Sequence, residues 1–184
     1  MSKAIKITKG LDLKLYGEPT PEVVETFVSE YALKPKDFIG LSPKLLIEEG
    51  ERVKAGTPLF YAKGKEKVLF TSPVSGVVKQ VKRGEKRVIE EVIVSADETI
   101  EYLDFGVSSI SELNAEQIKE KMLISGAWTL LRQRPYSVVP NPDTTPKCII
   151  VSGFSSAPLA PDYSILLKGL GAELQVGIDA LKKM

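Results

Sequence analysis

The stretch "EEGERVKAGTPLFYAKGKEKVLFTSPVSGVVKQV" (48–81) decides the fold. Glycines at 50, 56, 64 and 76 punctuate it, and Ser75-Gly76 lead an alternating apolar run. Alternation predicts strands, because successive side chains of a strand point to opposite faces. Gly50 and Gly56 allow turns, Pro58 starts what reads as an edge strand, and Pro73 with Gly76 makes a return turn. Working outward, strands are predicted near 43–47, 58–62, 68–71, 74–81 and 87–94, separated by "EEGERVKAG", "KGKEK" and "KRGEK". Short strands at such even spacing make a compact barrel or sandwich. "EGERV" (49–53) and "RGEKRV" (83–88) set Gly50 and Gly84 in similar company. Either two similar halves make a hammerhead, or the two turns are unrelated.

Before this region, residues 4–15 ("AIKITKGLDLKL") alternate in two short runs broken by Gly10, so strands are expected. Residues 20–40, with Pro21, Pro35 and Gly40, are ambiguous between strand and loop. After residue 104 the pattern changes. "SSISELNAEQIKEKMLISG" (108–126) puts Ile118, Met122 and Leu123 on one helical face, with Asn114 as N-cap and Gly126 as stop. "PYSVVPNPDTTP" (135–146) holds too much proline for a helix or a central strand. "KCIIVSGF" (147–154) reads as a buried strand of an α/β layer, and 173–184 as a helix with Leu174, Ile178 and Leu181 in phase. The fold class is therefore mixed α+β. Residues 1–39 supply strands or linker, 40–104 the β domain, and 105–184 the beginning of an α/β domain.

Composition narrows the chemistry. The chain has 184 residues, 27% of them charged, and a net charge of +1. Basic and acidic residues number 17 and 17 through Asp104, then 8 and 7 beyond it, so neither half is a polyanion binder by bulk charge and no nucleic acid is expected. One cysteine, Cys148, and no histidine exclude an internal disulfide framework, Ser-His and Cys-His catalysis, and the usual zinc sites. No apolar run nears the roughly 20 residues that span a bilayer, and "MSKAIKITKG" lacks a signal peptide's apolar core. The expectation is a soluble, cytoplasmic chain with no catalytic and no metal-ligating residues.

Residues 48–81 resemble the biotinyl/lipoyl carrier fold: Gly-acidic, Val, Gly, small-Pro-Leu, a hairpin, then Ser-Pro-x-x-Gly. A carrier needs one lysine at the hairpin tip within a fixed dipeptide. Lys65 falls at or within one position of that tip, yet "KGKEK" offers Lys63, Lys65 and Lys67. A solvated hairpin with lysines guarding its edge is the favoured reading. "KRGEKR" is a poorer phosphate loop still, having one glycine between strands where a cradle wants several feeding a helix. The fold is read as a barrel-sandwich hybrid without the carrier role and with no covalently bound cofactor.

The order of motifs is more specific than any one of them. "IKITKGLDLKL", "TSPVSGVVKQVKRGEKR", "LISGAWTLLRQRPYSVVPNPDTTPK" and "VSGFSSAPLAPD" together resemble the A subunits of sodium-translocating NADH:quinone reductases, from residue 3 to the end. Members of that family are much longer, so the chain is expected to be an amino-terminal fragment. The resemblance implies a peripheral subunit on the cytoplasmic side of the bacterial inner membrane. Its partners would be the other subunits of the complex, and the resemblance implies that the subunit associates with ubiquinone in the full-length complex and does not itself carry flavin, iron–sulfur or NADH. It also implies a distant relation to the flavin-binding subunit of respiratory complex I. A lipoyl/biotinyl-like carrier module and a flavin-binding electron-transfer subunit of the Rnf type are the alternatives.

Two residue groups remain candidates. Those relatives have a Gly-rich flavin loop where this chain has "SGAWTLLRQRP" (125–135), and a backbone that must approach a flavin closely has no room for Trp128. Trp128, Arg132 and Arg134 would line a surface for a quinone head or a partner protein. Alternatively, Trp128 packs in the core, plugging the old cleft, while the arginines lie at its rim or cap carboxylates. Lys79, Lys82, Arg83, Lys86 and Arg87 form a basic patch around Glu85, facing either a partner, lipid headgroups or solvent.

Overall fold

The computed structural model describes Gly10, Thr20, Glu22, residues 24–155, Ala157 and residues 160–184. The strands expected over residues 4–15 lie outside the described residues, Gly10 apart. Seven strands are described: β1 (Glu30–Leu33), β2 (Pro43–Leu45), β3 (Arg52–Val53), β4 (Pro58–Ala62), β5 (Lys65–Thr71), β6 (Gly76–Arg83) and β7 (Ile89–Ala96). They make two antiparallel sheets, ordered β1-β7-β6-β3 and β2-β4-β5. β2, β4, β5, β6 and β7 correspond to the predicted strands. β1 arises in the segment that was ambiguous, and β3 inside what read as a turn.

The sheets enclose one apolar core. Leu59, Phe60, Val68, Val78 and Val92 are wholly buried, and Phe60 stacks on Phe70 at 4.9 Å between ring centroids. Phe38 closes that pair edge-on, 4.7 Å from Phe70. Such aromatic pairs add to the stabilisation from burial itself, about 0.5–1.5 kcal/mol each. The return bend at Ser72–Gly76 passes the chain from one sheet to the other. Its Ser72 hydroxyl donates to the Val74 carbonyl at 2.6 Å, and the Ser75 hydroxyl donates to the Asp97 carboxylate at 2.8 Å.

Beyond the barrel, α1 (Ala115–Ile124) starts at a complete capping box. The Gln117 N–H donates to the Asn114 side chain and the Asn114 N–H to the Gln117 side chain, each at 2.9 Å. The helix stops at Gly126, whose φ of +79° is the left-handed conformation that glycine adopts without penalty. Gly126 is required a second time: a Cβ there would lie 2.4 Å from Thr71 Oγ1 on β5. A 3₁₀ turn (Ala127–Leu130) follows, and its Trp128, with Leu123 of α1, joins the barrel's own apolar cluster. The short α2 (Tyr163–Leu166) and α3 (Gly171–Lys183) complete the chain. Lys183 Nζ at the end of α3 donates to the carbonyls of Ile110, Ser111 and Leu113 at 2.6, 3.1 and 3.0 Å, tying the helix back to the start of this half.

Two expectations are corrected, and one open alternative is decided. Residues 147–154 form no strand, and Ile150 (84%), Val151 (57%) and Phe154 (78%) are exposed. A strand of a buried sheet exists only where neighbours take up its N–H and C=O groups, and no strand lies beside this run among the described residues. Pro58 does not start an edge strand: β4 is the middle strand of its sheet. The proline is tolerated because it is the strand's first residue. Gly50 and Gly84 are not equivalent turns, since Gly50 has φ of +87° and Gly84 of −93°.

Gly76 is where the barrel tolerates least. Its φ is +154°, and a Cβ would sit 1.8 Å from the carbonyl oxygen of Ser95 on β7. Gly76→Ala is expected to cost about 3 kcal/mol by forcing the β6–β7 ladder apart. Urea denaturation measures it; a midpoint within error of wild type would show that the ladder yields freely.

Candidate functional site

The residues singled out from sequence fall in three places. Trp128 is inside the molecule, 4% exposed, with its indole Nε1–H donating to the Pro140 carbonyl at 3.0 Å. Burial removes it from any surface seen by a ligand, and the core-packing alternative describes its position. Arg132 lies at the edge of the barrel, its guanidinium 5.4 Å from the ring centroid of Phe38. It donates to the carbonyls of Thr129 and Leu131, the second at 3.0 Å, so it caps backbone and not a carboxylate. Arg134 is apart from both. The Gln133 N–H donates to the Val138 carbonyl at 2.8 Å, pinching out an exposed loop that carries Arg134 and Tyr136.

That pinch lays Val138 and Val139 against the barrel wall, opening a groove of about 160 Å³. Phe38, Leu41, Val68 and Phe70 supply apolar lining, and Lys63 and Lys65 stand among the lining residues as cations. The β4–β5 hairpin that presents them turns at Lys63 and Gly64, Gly64 having φ of +81°. Lys65 is the first residue of β5, one place beyond the turn, and its Nζ donates to the Val139 carbonyl at 3.4 Å. Lys67 lies 4.0 Å from the Asp143 carboxylate. The hairpin thus rests on the second half of the chain. On the neighbouring strand, hydrogen bonding and charge from Tyr61 raise the Lys44 ammonium above its ordinary pKa, with Nζ 5.6 Å from the ring centroid.

Of the groove's residues, the sequence reading singled out Lys63 and Lys65, as lysines of a solvated hairpin, and neither Phe38 nor Val139; Arg132 is not among the lining. Phe38 follows a 3₁₀ turn at Pro35–Asp37 and Val139 sits in a proline-rich stretch. Neither carries a local mark, since each owes its role to residues distant in the chain.

The basic patch is at the opposite reach of β6. Lys79 pairs with Glu30 and Lys82 with Glu91, the latter at 3.7 Å. Arg83, Lys86 and Arg87 have no carboxylate partner among the described residues, and Arg83 Nη1 donates to the Arg87 carbonyl at 3.3 Å.

Residues 5–97 match the family described as the NqrA N-terminal barrel-sandwich hybrid domain, and residues 113–184 match the NqrA second alpha/beta domain. The A subunit of the Na(+)-translocating NADH-quinone reductase from Serratia proteamaculans (strain 568) is 37% identical over 98% of this chain and 41% of its own length. Its counterpart from Pseudomonas aeruginosa (strain UCBPP-PA14) is also 37% identical with the same coverage, and that from Yersinia pestis is 35% identical. The chain thus spans about two fifths of the length of these relatives.

The buried indole fixes an expected ranking of variants. Trp128→Ala should cost about 3–5 kcal/mol through the cavity it leaves. Trp128→Phe should cost less, the Pro140 carbonyl losing its donor at about 1–3 kcal/mol. Arg134→Ala should stay within about 0.5 kcal/mol of wild type. Equal urea midpoints for Trp128→Ala and Arg134→Ala would contradict a seam in which the indole is packed and the loop is free.

Proposed function

The chain belongs to the family of NqrA N-terminal barrel-sandwich hybrid domains, and on that premise we propose that it serves as the amino-terminal part of the A subunit of a sodium-translocating NADH:quinone reductase. In this reading it is a peripheral part on the cytoplasmic side of the membrane, attached through the other subunits. It associates with quinone and leaves the redox chemistry to them. Supporting its place in that complex is the agreement of two consecutive domains in order, together with the names of relatives similar over 98% of the chain. No helix among the described residues is long and apolar enough to cross a membrane.

The observation that carries quinone association is the groove between the barrel wall and Val138–Val139. A quinone head is a flat ring with apolar faces and two carbonyl oxygens that accept hydrogen bonds. Phe38, Leu41 and Val139, each half-buried, offer it apolar walls, and Lys63 and Lys65 offer ammonium donors. Arg132 is not part of the lining but places its guanidinium 5.4 Å from the centroid of the Phe38 ring. Trp128 contributes from behind, by fixing the turn that delivers Arg132, and Arg134 on its exposed loop is left for a neighbouring protein of the complex. The engaged hairpin, with Lys65 on Val139 and Lys67 near Asp143, argues against a swinging carrier arm.

Titration of isotope-labelled chain with ubiquinone-1, followed by NMR, tests the groove. Shifts centred on Phe38, Leu41, Val68 and Val139, weakened by Phe38→Ala, are the expected result; shifts elsewhere or none would remove quinone from it. The isolated chain should also neither oxidise NADH nor reduce quinone. Turnover scaling with chain concentration would overturn the non-catalytic part of the reading.

A further inference from the structure

We propose that the β6–β7 hairpin tip, residues 83–88, is a docking element for an anionic lipid surface. The inference rests on the hairpin itself and is independent of the quinone groove.

Cations along this hairpin divide into two kinds. Lys79 and Lys82, partway up β6, are matched by Glu30 on β1 and Glu91 on β7, as solvated sheet surfaces ordinarily are. At the tip, Arg83, Lys86 and Arg87 are exposed and lack such partners among the described residues. The nearby carboxylates are few. Glu85 shares the tip, Glu90 lies against Gly84, and Glu49 already accepts the Val81 N–H at 2.7 Å. The tip itself holds three cations against one carboxylate.

Backbone conformation says that these side chains are retained against a preference. Lys86 and Arg87 both have positive φ, 54° and 60°. Consecutive left-handed residues are a place for glycine or asparagine, because a longer side chain's Cβ crowds the following carbonyl there. A strained backbone at an exposed tip points to function when the side chains it carries have a use of their own. Here that use is charge on a projection: β6 carries the tip roughly 23 Å from the Ser72–Gly76 bend, at about 3.3 Å per residue.

Shape selects the partner. A peptide is held in a groove or along a sheet edge, whereas this hairpin end is convex and narrow. A flat surface of phosphate headgroups accommodates a convex tip, and Val88, 58% exposed between Arg87 and β7, supplies an apolar side chain among the cations. Cations near an anionic bilayer each strengthen attachment and lose that effect as salt screens them.

The test is flotation of the chain with phosphatidylcholine vesicles, pure or mixed in equal parts with phosphatidylglycerol. Wild type should bind the mixed vesicles and not the pure ones, and should release at about 1 M salt, where the screening length is about 3 Å. Lys86→Asn and Arg87→Asn keep a residue that tolerates the left-handed turn. Each should lower partitioning about fivefold, with the urea midpoint unchanged or raised. Lys79→Ala, which removes a paired cation, should lower it less. Equal binding to both vesicle types, or full binding by the double asparagine variant, would overturn the proposal. So would loss of capture by the partner subunits in the double variant without any vesicle binding, which would assign the tip to an acidic protein face.

Discussion

Thr71, the last residue of β5, and Gly126 after α1 approach so closely that no side chain fits between them. Thr71 Oγ1 donates to the Ser125 carbonyl at 3.4 Å across the same contact. From that point the later chain has little freedom. The 3₁₀ turn must follow with its indole inward, the Pro140 carbonyl must come to meet Nε1, and the intervening loop must fold out to solvent. Arg132 over Phe38, and Val139 over the β4–β5 hairpin, are downstream results of this one close approach. The barrel and the helical half therefore share a single apolar cluster, and strain at Gly126 would be felt in both.

Features written locally were legible in the sequence. β4 is a short apolar run between turn residues, β6 opens on alternating burial from Gly76 to Lys79, and the Asn114–Gln117 capping box with Gly126 frames α1. Features owed to distant partners were not. β1 is four residues in a proline-bearing segment and exists because β7 offers Val92–Ser95 as its ladder; β3 is two residues held by Gly76 and Val77. The same reasoning explains the misreading of "KCIIVSGF". Its composition specifies a strand's preference for burial, but pairing comes from neighbours, and none of the described strands is beside it.

Site residues divide along the same line. The charges of the basic patch were plain in the sequence, yet which of them are neutralised depends on Glu30 and Glu91, carried by other strands. Only their placement separates Lys79 and Lys82 from the tip residues. Trp128 was visible as a bulky residue where a glycine-rich loop would need space, and burial decided between its two readings. The groove was invisible because its walls come from four separate segments, 38–42, 62–65, 68–70 and 138–139. None of these walls is unusual alone.

The exposed run at 147–155 bears on how the molecule behaves in concentrated solution. From Cys148 to Pro161 the sequence has no charged residue to keep copies apart. Ile150, Val151 and Phe154 are exposed on a segment that belongs to no ladder among the described strands. A segment of that kind is a template for another copy of itself, since pairing would satisfy its backbone and hide its side chains together. Net charge of +1 does little to oppose the encounter. Association of this chain at the run is therefore expected to rise with its concentration, without prior unfolding.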